Sequence, residues 1–185
     1  IQRAASLFLM KTMYSFALAA LLLFVPLQYP FAPIHLTLIG AVASGIPGVV
    51  LALEPNFKRV SKNFMSSVLK RAAAGAITIF CGVVFAMAFG KYLGLSEDEI
   101  STVCVIFTGV SSLVTLLCSC LPLSVLKGIL VAVCAAIFAG GVLIFDKLFM
   151  LVPLGTAALI MLFAMLPFTA IQYFIRSDSL RKNKN

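Results

Sequence analysis

Apolar residues run along the chain in blocks near or above the roughly 20 residues that cross a bilayer, and short groups of charge, proline and glycine separate them. In order, the blocks occupy approximately 5–26, 34–53, 72–93, 100–121, 124–145 and 149–174. This pattern predicts an all-α, polytopic membrane bundle of six transmembrane helices, forming a single domain over 1–185. Composition strengthens that reading, since 62% of the residues are hydrophobic and 11% charged, with a mean hydropathy of +1.14. A soluble bundle with buried helices does not reach such values.

Arg3 ahead of an apolar segment with Ala17, Ala19 and Ala20 has the outline of a signal peptide. Lys11 interrupts the segment, however, and five further spans follow it, so it reads as a true span. The chain starts at Ile1, which leads us to expect a processed product or a piece of a longer polypeptide.

The net charge of +8 suits nucleic acid in size but not in placement. If the spans alternate, Arg3, Lys58, Arg59, Lys62, Lys70, Arg71, Lys127, Arg176, Arg181, Lys182 and Lys184 share one side of the membrane. Lys91 and Lys147 take the other, with Glu97, Asp98, Glu99 and Asp146. The excess of Lys and Arg marks the cytoplasmic side, so both termini and the 54–71 loop are expected in the cytoplasm. The basicity sets topology, with membrane lipid as the neighbour and no nucleic-acid partner. A contribution of Lys58, Arg59, Lys62, Lys70 and Arg71 to binding anionic lipid is a secondary expectation.

Candidate chemistry is concentrated in the first two spans. Lys11, Thr12, Tyr14 and Ser15 interrupt the first, and an ionisable residue there must snorkel, pair or face a cavity. The second, "HLTLIGAVASGIPGVVLALEP", holds Gly40, Ser44, Gly45, Pro47 and Gly48 near its middle. Pro47 has no amide proton, so the carbonyl around Ala43 loses its helical donor, and the flanking glycines allow the backbone to unwind. Membranes tolerate freed backbone groups only under cover of protein or beside a water-filled cavity, where carbonyls can bind ions. A simple proline kink is the alternative.

The remaining polar positions carry less. Thr102, Thr108, Ser111, Ser112, Thr115 and Ser119 form a hydroxyl series in the fourth span, suited to bonds between helices. His35, with no Cys, Asp or Glu nearby, reads as an interfacial side chain and not a metal ligand. The cysteines at 81, 104, 118, 120 and 134 lie within spans as small buried hydrophobes. No phosphate-binding loop, dinucleotide fingerprint, nucleophile elbow or metal-spaced His/Cys cluster occurs in the chain, which therefore holds no catalytic residues and no cofactor of its own.

"RAASLFLMKTMYSFALA" followed by "PLQYPFAPIHLTLIGAVASGIPGVVLALEPN" resembles the fifth and sixth membrane helices of the P-type, or E1-E2, cation-transporting ATPases, and the other spans look like that family's last four. The flavour is closest to bacterial pumps for calcium or other divalent cations, in the bacterial plasma membrane. The resemblance implies a transported cation as partner. It also implies Mg-ATP used elsewhere in the parent chain, whose N-terminal membrane helices and actuator, phosphorylation and nucleotide domains lie outside this one.

Aligned on Pro47, the family's asparagine and glutamate ligands of the fifth helix fall at Thr12 and Ser15. Those of the sixth helix (asparagine, threonine and aspartate) fall at Gly40, Ala43 and Ser44, so every position departs from the calcium-pump pattern. Lys11, Thr12, Ser15, Gly40, Ala43, Ser44, Gly45 and Pro47 are thus the implied ion-site candidates, with one ion per cycle expected. Glu54, Lys58, Arg59 and Lys62 are candidates for coupling the helices to the phosphorylation domain. An independent secondary transporter or channel subunit, or a structural membrane scaffold, would be the alternatives.

Overall fold

The computed structural model describes residues 2–25, 27–53, 64–121 and 124–182. Among the described residues there are seven α-helices: α1 (Gln2–Phe24), α2 (Pro33–Gly40), α3 (Ile46–Leu53), α4 (Phe64–Tyr92), α5 (Glu97–Cys120), α6 (Val125–Leu143) and α7 (Thr156–Lys182). A π-helical turn, Ala41–Gly45, joins α2 to α3, so that Pro33–Leu53 counts as one span and six spans are long and apolar enough to cross a membrane. No strand occurs among the described residues. The bundle is the all-helical, multi-pass architecture predicted from the apolar blocks.

Local chemistry sets the helix ends. Pro33 opens α2, where its missing N–H is one the first turn does not use. Ser96 and Glu99 form a reciprocal capping box at the start of α5: the Glu99 amide donates to Ser96 Oγ at 3.2 Å and the Ser96 amide to Glu99 Oε2 at 3.0 Å. Between α4 and α5 the chain reverses through Gly94, and the Leu95 amide donates to the Gly90 carbonyl at 3.0 Å, closing the end of α4.

α5 is the central column. Its span is 72% buried, against 28% for those of α6 and α7, and it touches α1, α2, the π-turn, α4, α6 and α7. One core lies among α1, α4, α5 and α7, built from Met10, Tyr14, Ile79, Val103, Phe107 and Met161. The other joins α1, the broken span, α5 and α6 through Leu7, Leu38, Val42, Leu116 and Phe138. In lipid such packing rests on close contact between helices and not on escape from water. Accordingly the Phe107 ring lies directly over Gly82 of α4. Phe16, Phe24 and Ile77 are exposed on the outer surface, as lipid-facing residues are.

Three bonds tie the connections at the end of the bundle that carries Glu97, Asp98, Glu99 and Asp146. Ser101 Oγ donates to the Pro30 carbonyl at 2.6 Å, His35 Nε2 meets the Phe149 carbonyl at 2.8 Å, and the Val152 amide donates to Thr102 Oγ1 at 3.1 Å. These contacts explain two departures from the sequence reading. His35, expected at the interface, is only 3% exposed. α7 starts at Thr156 instead of 149: Phe149 and Leu151 are apolar because they pack against the core, and Pro153 disfavours helix in the residue before it.

α4 in turn begins at Phe64, ahead of the apolar block at 72, because the helix continues through Lys70 and Arg71. The proposed coupling residues Glu54, Lys58, Arg59 and Lys62 lie outside the described residues, as do Pro26 and Pro122.

Candidate functional site

The break in the second span is a widening of the helix. Across Ala41–Gly45 the ladder shifts to π spacing, and the Ile46 amide donates to the Ala41 carbonyl. A proline two residues into α3 accounts for the need: Pro47 cannot donate to the Ala43 carbonyl, and its ring would collide with that carbonyl in a regular α-helix. Gly45 makes the turn compact, since a Cβ there would stand 3.3 Å from the Gly40 carbonyl oxygen. Ser44 folds back on the same turn, its hydroxyl donating to the Gly40 carbonyl at 3.1 Å. The unwound stretch that the glycines allowed is replaced by a continuous, bulged helix, and Val42, Ala43, Ser44 and Pro47 are buried in it.

α1 lies against this bulge. A Cβ on Gly40 would stand 2.6 Å from Lys11 Nζ and 3.7 Å from its Cε, so the ammonium of Lys11 occupies the space a side chain at 40 would need. Further along the same contact, the Phe8 ring covers Gly48. Lys11 is half-buried. Among the described residues the ion pair present is Lys91 with Glu97 at 3.2 Å, at the far end of α4 and α5, and no carboxylate accompanies Lys11. The end of the Lys11 side chain therefore sits against the start of the π-turn.

The other sequence-derived candidates distribute unevenly. Ser15 is half-buried and shares the face of Lys11 four residues away. It reaches Tyr29 in the α1–α2 connection, whose phenol is pushed up by burial, an effect the contact with Ser15 offsets in part. Thr12 is exposed, and its hydroxyl donates to the Phe8 carbonyl at 3.1 Å. The fold thus gathers Lys11, Gly40, Ala43, Ser44, Gly45 and Pro47 at one crossing, while Thr12 looks away from it.

Polar groups that the sequence reading placed outside the site lie deep in the bundle. Thr108 Oγ1, Ser111 Oγ, Ser112 Oγ and Gln172 Oε1 are buried without a hydrogen-bond partner among the described residues. Each such group costs about 1–3 kcal/mol when nothing satisfies it, so a concentration of them marks a region suited to water or a polar guest.

Helical spacing divides the α5 members of this group. Ser101, Thr108, Ser112 and Ser119 recur at seven, four and seven residues, which is one face of α5. Ser101 bonds Pro30, so this face looks toward the α1–α2 side of the bundle. Ser111 and Thr115 form a neighbouring strip. There Gln172 of α7 donates to the Ser111 carbonyl at 3.3 Å and to the Thr115 hydroxyl, which itself donates to the Ser111 carbonyl at 3.0 Å. Gln172 was hard to find from sequence because a single amide in an apolar run carries no periodic signal. The α5 hydroxyls did show a pattern, but helix pairing explained it equally well.

No group of three or more His, Cys, Asp or Glu residues placed to hold a metal ion occurs among the described residues. The oxygens available around the π-turn are hydroxyls and carbonyls, which can contribute to a cation's shell but lack the carboxylate charge that calcium commonly takes.

Comparison with known proteins gives relatives of one kind. The chain is 33% identical over 139 residues to the probable cation-transporting ATPase exp7 of Streptococcus pneumoniae, a match covering 71% of this chain and 18% of that protein. It is 34% identical over 121 residues to the calcium-transporting ATPase CtpE of Mycobacterium tuberculosis, covering 58% and 15% respectively. To CtpE of Mycolicibacterium smegmatis it is 30% identical over 169 residues, covering 83% and 21%. The chain thus spans about a fifth or less of the length of the curated relatives it matches. No protein-family profile matches it, and no solved structure does.

Proposed function

The chain belongs to the membrane region of the cation-transporting P-type ATPases, and on that premise we propose that its six helices form one wall of the cation pathway of an ATP-driven pump in the bacterial plasma membrane. The pathway would pass the π-turn of the second span. The observation that carries this reading is the ammonium of Lys11 packed against Gly40 at that turn, with no carboxylate beside it among the described residues.

Calcium or another divalent cation is the proposed cargo. The name shared by two of the relatives supports calcium. Because calcium favours six to eight oxygens with carboxylates among them, the charged ligands would come from membrane helices outside this chain. Ser44, Ser15 and the carbonyls near Ala43 and Gly45 would supply neutral oxygens, for one ion per cycle. Lys11 would act as a tethered positive charge that takes the cargo's place beside Gly40 after release.

ATP, with its magnesium, would be consumed by the actuator, phosphorylation and nucleotide domains of the parent chain. Glu54, Lys58, Arg59 and Lys62 would couple those domains to the helices. The test is the ATPase activity and uptake of the full pump in vesicles, titrated separately with calcium, magnesium, manganese and potassium. Activation by calcium or one other divalent cation, with matching uptake, is the expected result. Activity independent of all four would overturn the cation assignment, and ion flux through the 185-residue chain alone in liposomes would point to a channel or secondary transporter.

A further inference from the structure

We propose that His35 is a proton-operated strut at the acidic end of the bundle, which in its neutral form both caps the first turn of the broken span and ties it to the α6–α7 connection, and on protonation gives up the cap while keeping the tie. The inference stands on the geometry of the ring and does not require that the chain transport anything.

His35 is the sole histidine of the chain and is 3% exposed, yet both ring nitrogens are engaged. The Ala32 amide donates to Nδ1 at 3.1 Å. A backbone N–H can only donate, so Nδ1 is unprotonated and the proton sits on Nε2, which donates to the Phe149 carbonyl at 2.8 Å. Ala32 is the N-cap of α2, and its own side chain can accept nothing, so the imidazole supplies the polar half of that cap. One ring thus joins the start of the helix leading to the π-turn with a segment more than a hundred residues away in sequence.

That segment is itself held under tension. Met150, next to Phe149, has φ of 52°, a left-handed conformation uncommon for a residue with a side chain. The His35 bond to Phe149 on one side and the Thr102 bond to Val152 on the other keep it there.

Protons have a route to the ring. A cavity of about 180 Å³ at this end is lined by His35, Ser101, Tyr29, Lys91, Glu97 and Asp98. An imidazole changes charge between about pH 5 and 8. Glu97, Asp98 and Lys91 are the charged groups that line this cavity with the ring. Glu99 is committed to capping Ser96, Tyr29 is neutral, and Asp146 and Lys147 on the α6–α7 connection oppose one another in sign.

An imidazolium has two donors and no acceptor. The proton added at Nδ1 faces the Ala32 N–H, so that bond is lost and the α2 cap with it. Ser101 Oγ, 3.4 Å from Nδ1, is the acceptor to which the new N–H can turn, and the bond to Phe149 survives. Acidification therefore frees the α2 cap and leaves the α6–α7 connection attached.

The test uses the 185-residue chain in lipid bilayers with nitrogen-15 label. The sole histidine gives one imidazole signal, and hydrogen exchange at the Ala32 amide is followed in the same samples from about pH 8 to about pH 5. Expected is a ring protonated on Nε2 at the upper end that titrates within this range, with the protection factor of the Ala32 amide falling at least about tenfold as it does. His35→Asn retains an acceptor that does not titrate, and Ala32 protection in that variant is expected to stay constant within about twofold. A ring that stays neutral throughout, or titrates while Ala32 keeps its protection, overturns the proposal. So does an equal loss of protection in the asparagine variant. Should that variant fail to fold, the wild-type titration alone decides.

Discussion

Lys11 and Gly40 form a pair whose meaning neither residue has alone. A lysine in the first third of a membrane helix is ordinarily read as snorkelling to the interface, and a glycine in an apolar helix as a packing contact. Placed together, they put a charge where another residue at 40 would put a side chain. Two unit charges about 6 Å apart repel by roughly 3 kcal/mol at an effective dielectric constant near 20, enough to alter cation release substantially. Lys11→Ala in the full pump is therefore expected to lower the half-saturating cation concentration by about tenfold, or ~1.4 kcal/mol, and to slow turnover. Lys11→Arg, which keeps the charge, should do much less. ATPase activity measured against cation concentration checks both, and an unchanged rate and half-saturation in the alanine variant would remove Lys11 from the mechanism.

At the scale of the element, the broken span shows how a helix can be interrupted without being unwound. The π-turn keeps the backbone bonded, as a bilayer demands, and confines the irregularity to Ala41–Gly45. Pro47 is the residue that maintains it, since an alanine there would restore a donor to the Ala43 carbonyl and let the turn relax to α. In a helix interior proline is about 3 kcal/mol less favourable than alanine. Pro47→Ala is accordingly expected to leave the chain as stable or to raise its thermal midpoint, while cation-dependent ATPase activity of the full pump falls at least tenfold. Parallel unfolding and activity measurements decide the matter: a variant that loses stability and activity together would mean the proline serves packing instead.

Across the whole molecule, α5 organises the bundle, and α7 is attached to it by Gln172 at its polar strip. This attachment is a compromise, because Gln172 donates to α5 while its Oε1 finds no partner among the described residues. Bonds between membrane helices contribute only ~0.6 kcal/mol on average, comparable with or below the cost of the unpartnered oxygen. Gln172→Leu should therefore change stability by less than about 1 kcal/mol. Gln172→Ala, which leaves a cavity, should cost about 2 kcal/mol or more. Unfolding of both variants in detergent micelles, compared with the parent chain, tests the ordering, and a loss for leucine as large as that for alanine would show that the amide bonds dominate.

The six apolar blocks and the proline–glycine cluster at 45–48 were sufficient, from sequence alone, to establish the all-helical membrane architecture and to locate its irregular span, because bilayer thickness and backbone hydrogen bonding leave few alternatives. The "RAASLFLMKTMYSFALA" and "GIPGVVLALEP" stretches likewise pointed to the family to which the relatives belong. Sequence could not say whether the break unwinds or bulges, since glycine permits both and the choice depends on what Gly40, Ser44 and Pro47 meet across the turn. Nor could it distinguish a buried histidine from an interfacial one, or predict that 149–155 folds against the core instead of starting a helix. Those outcomes rest on contacts such as His35 with Phe149 and Thr102 with Val152, between residues far apart in the chain, and only the packed bundle brings them within bonding distance.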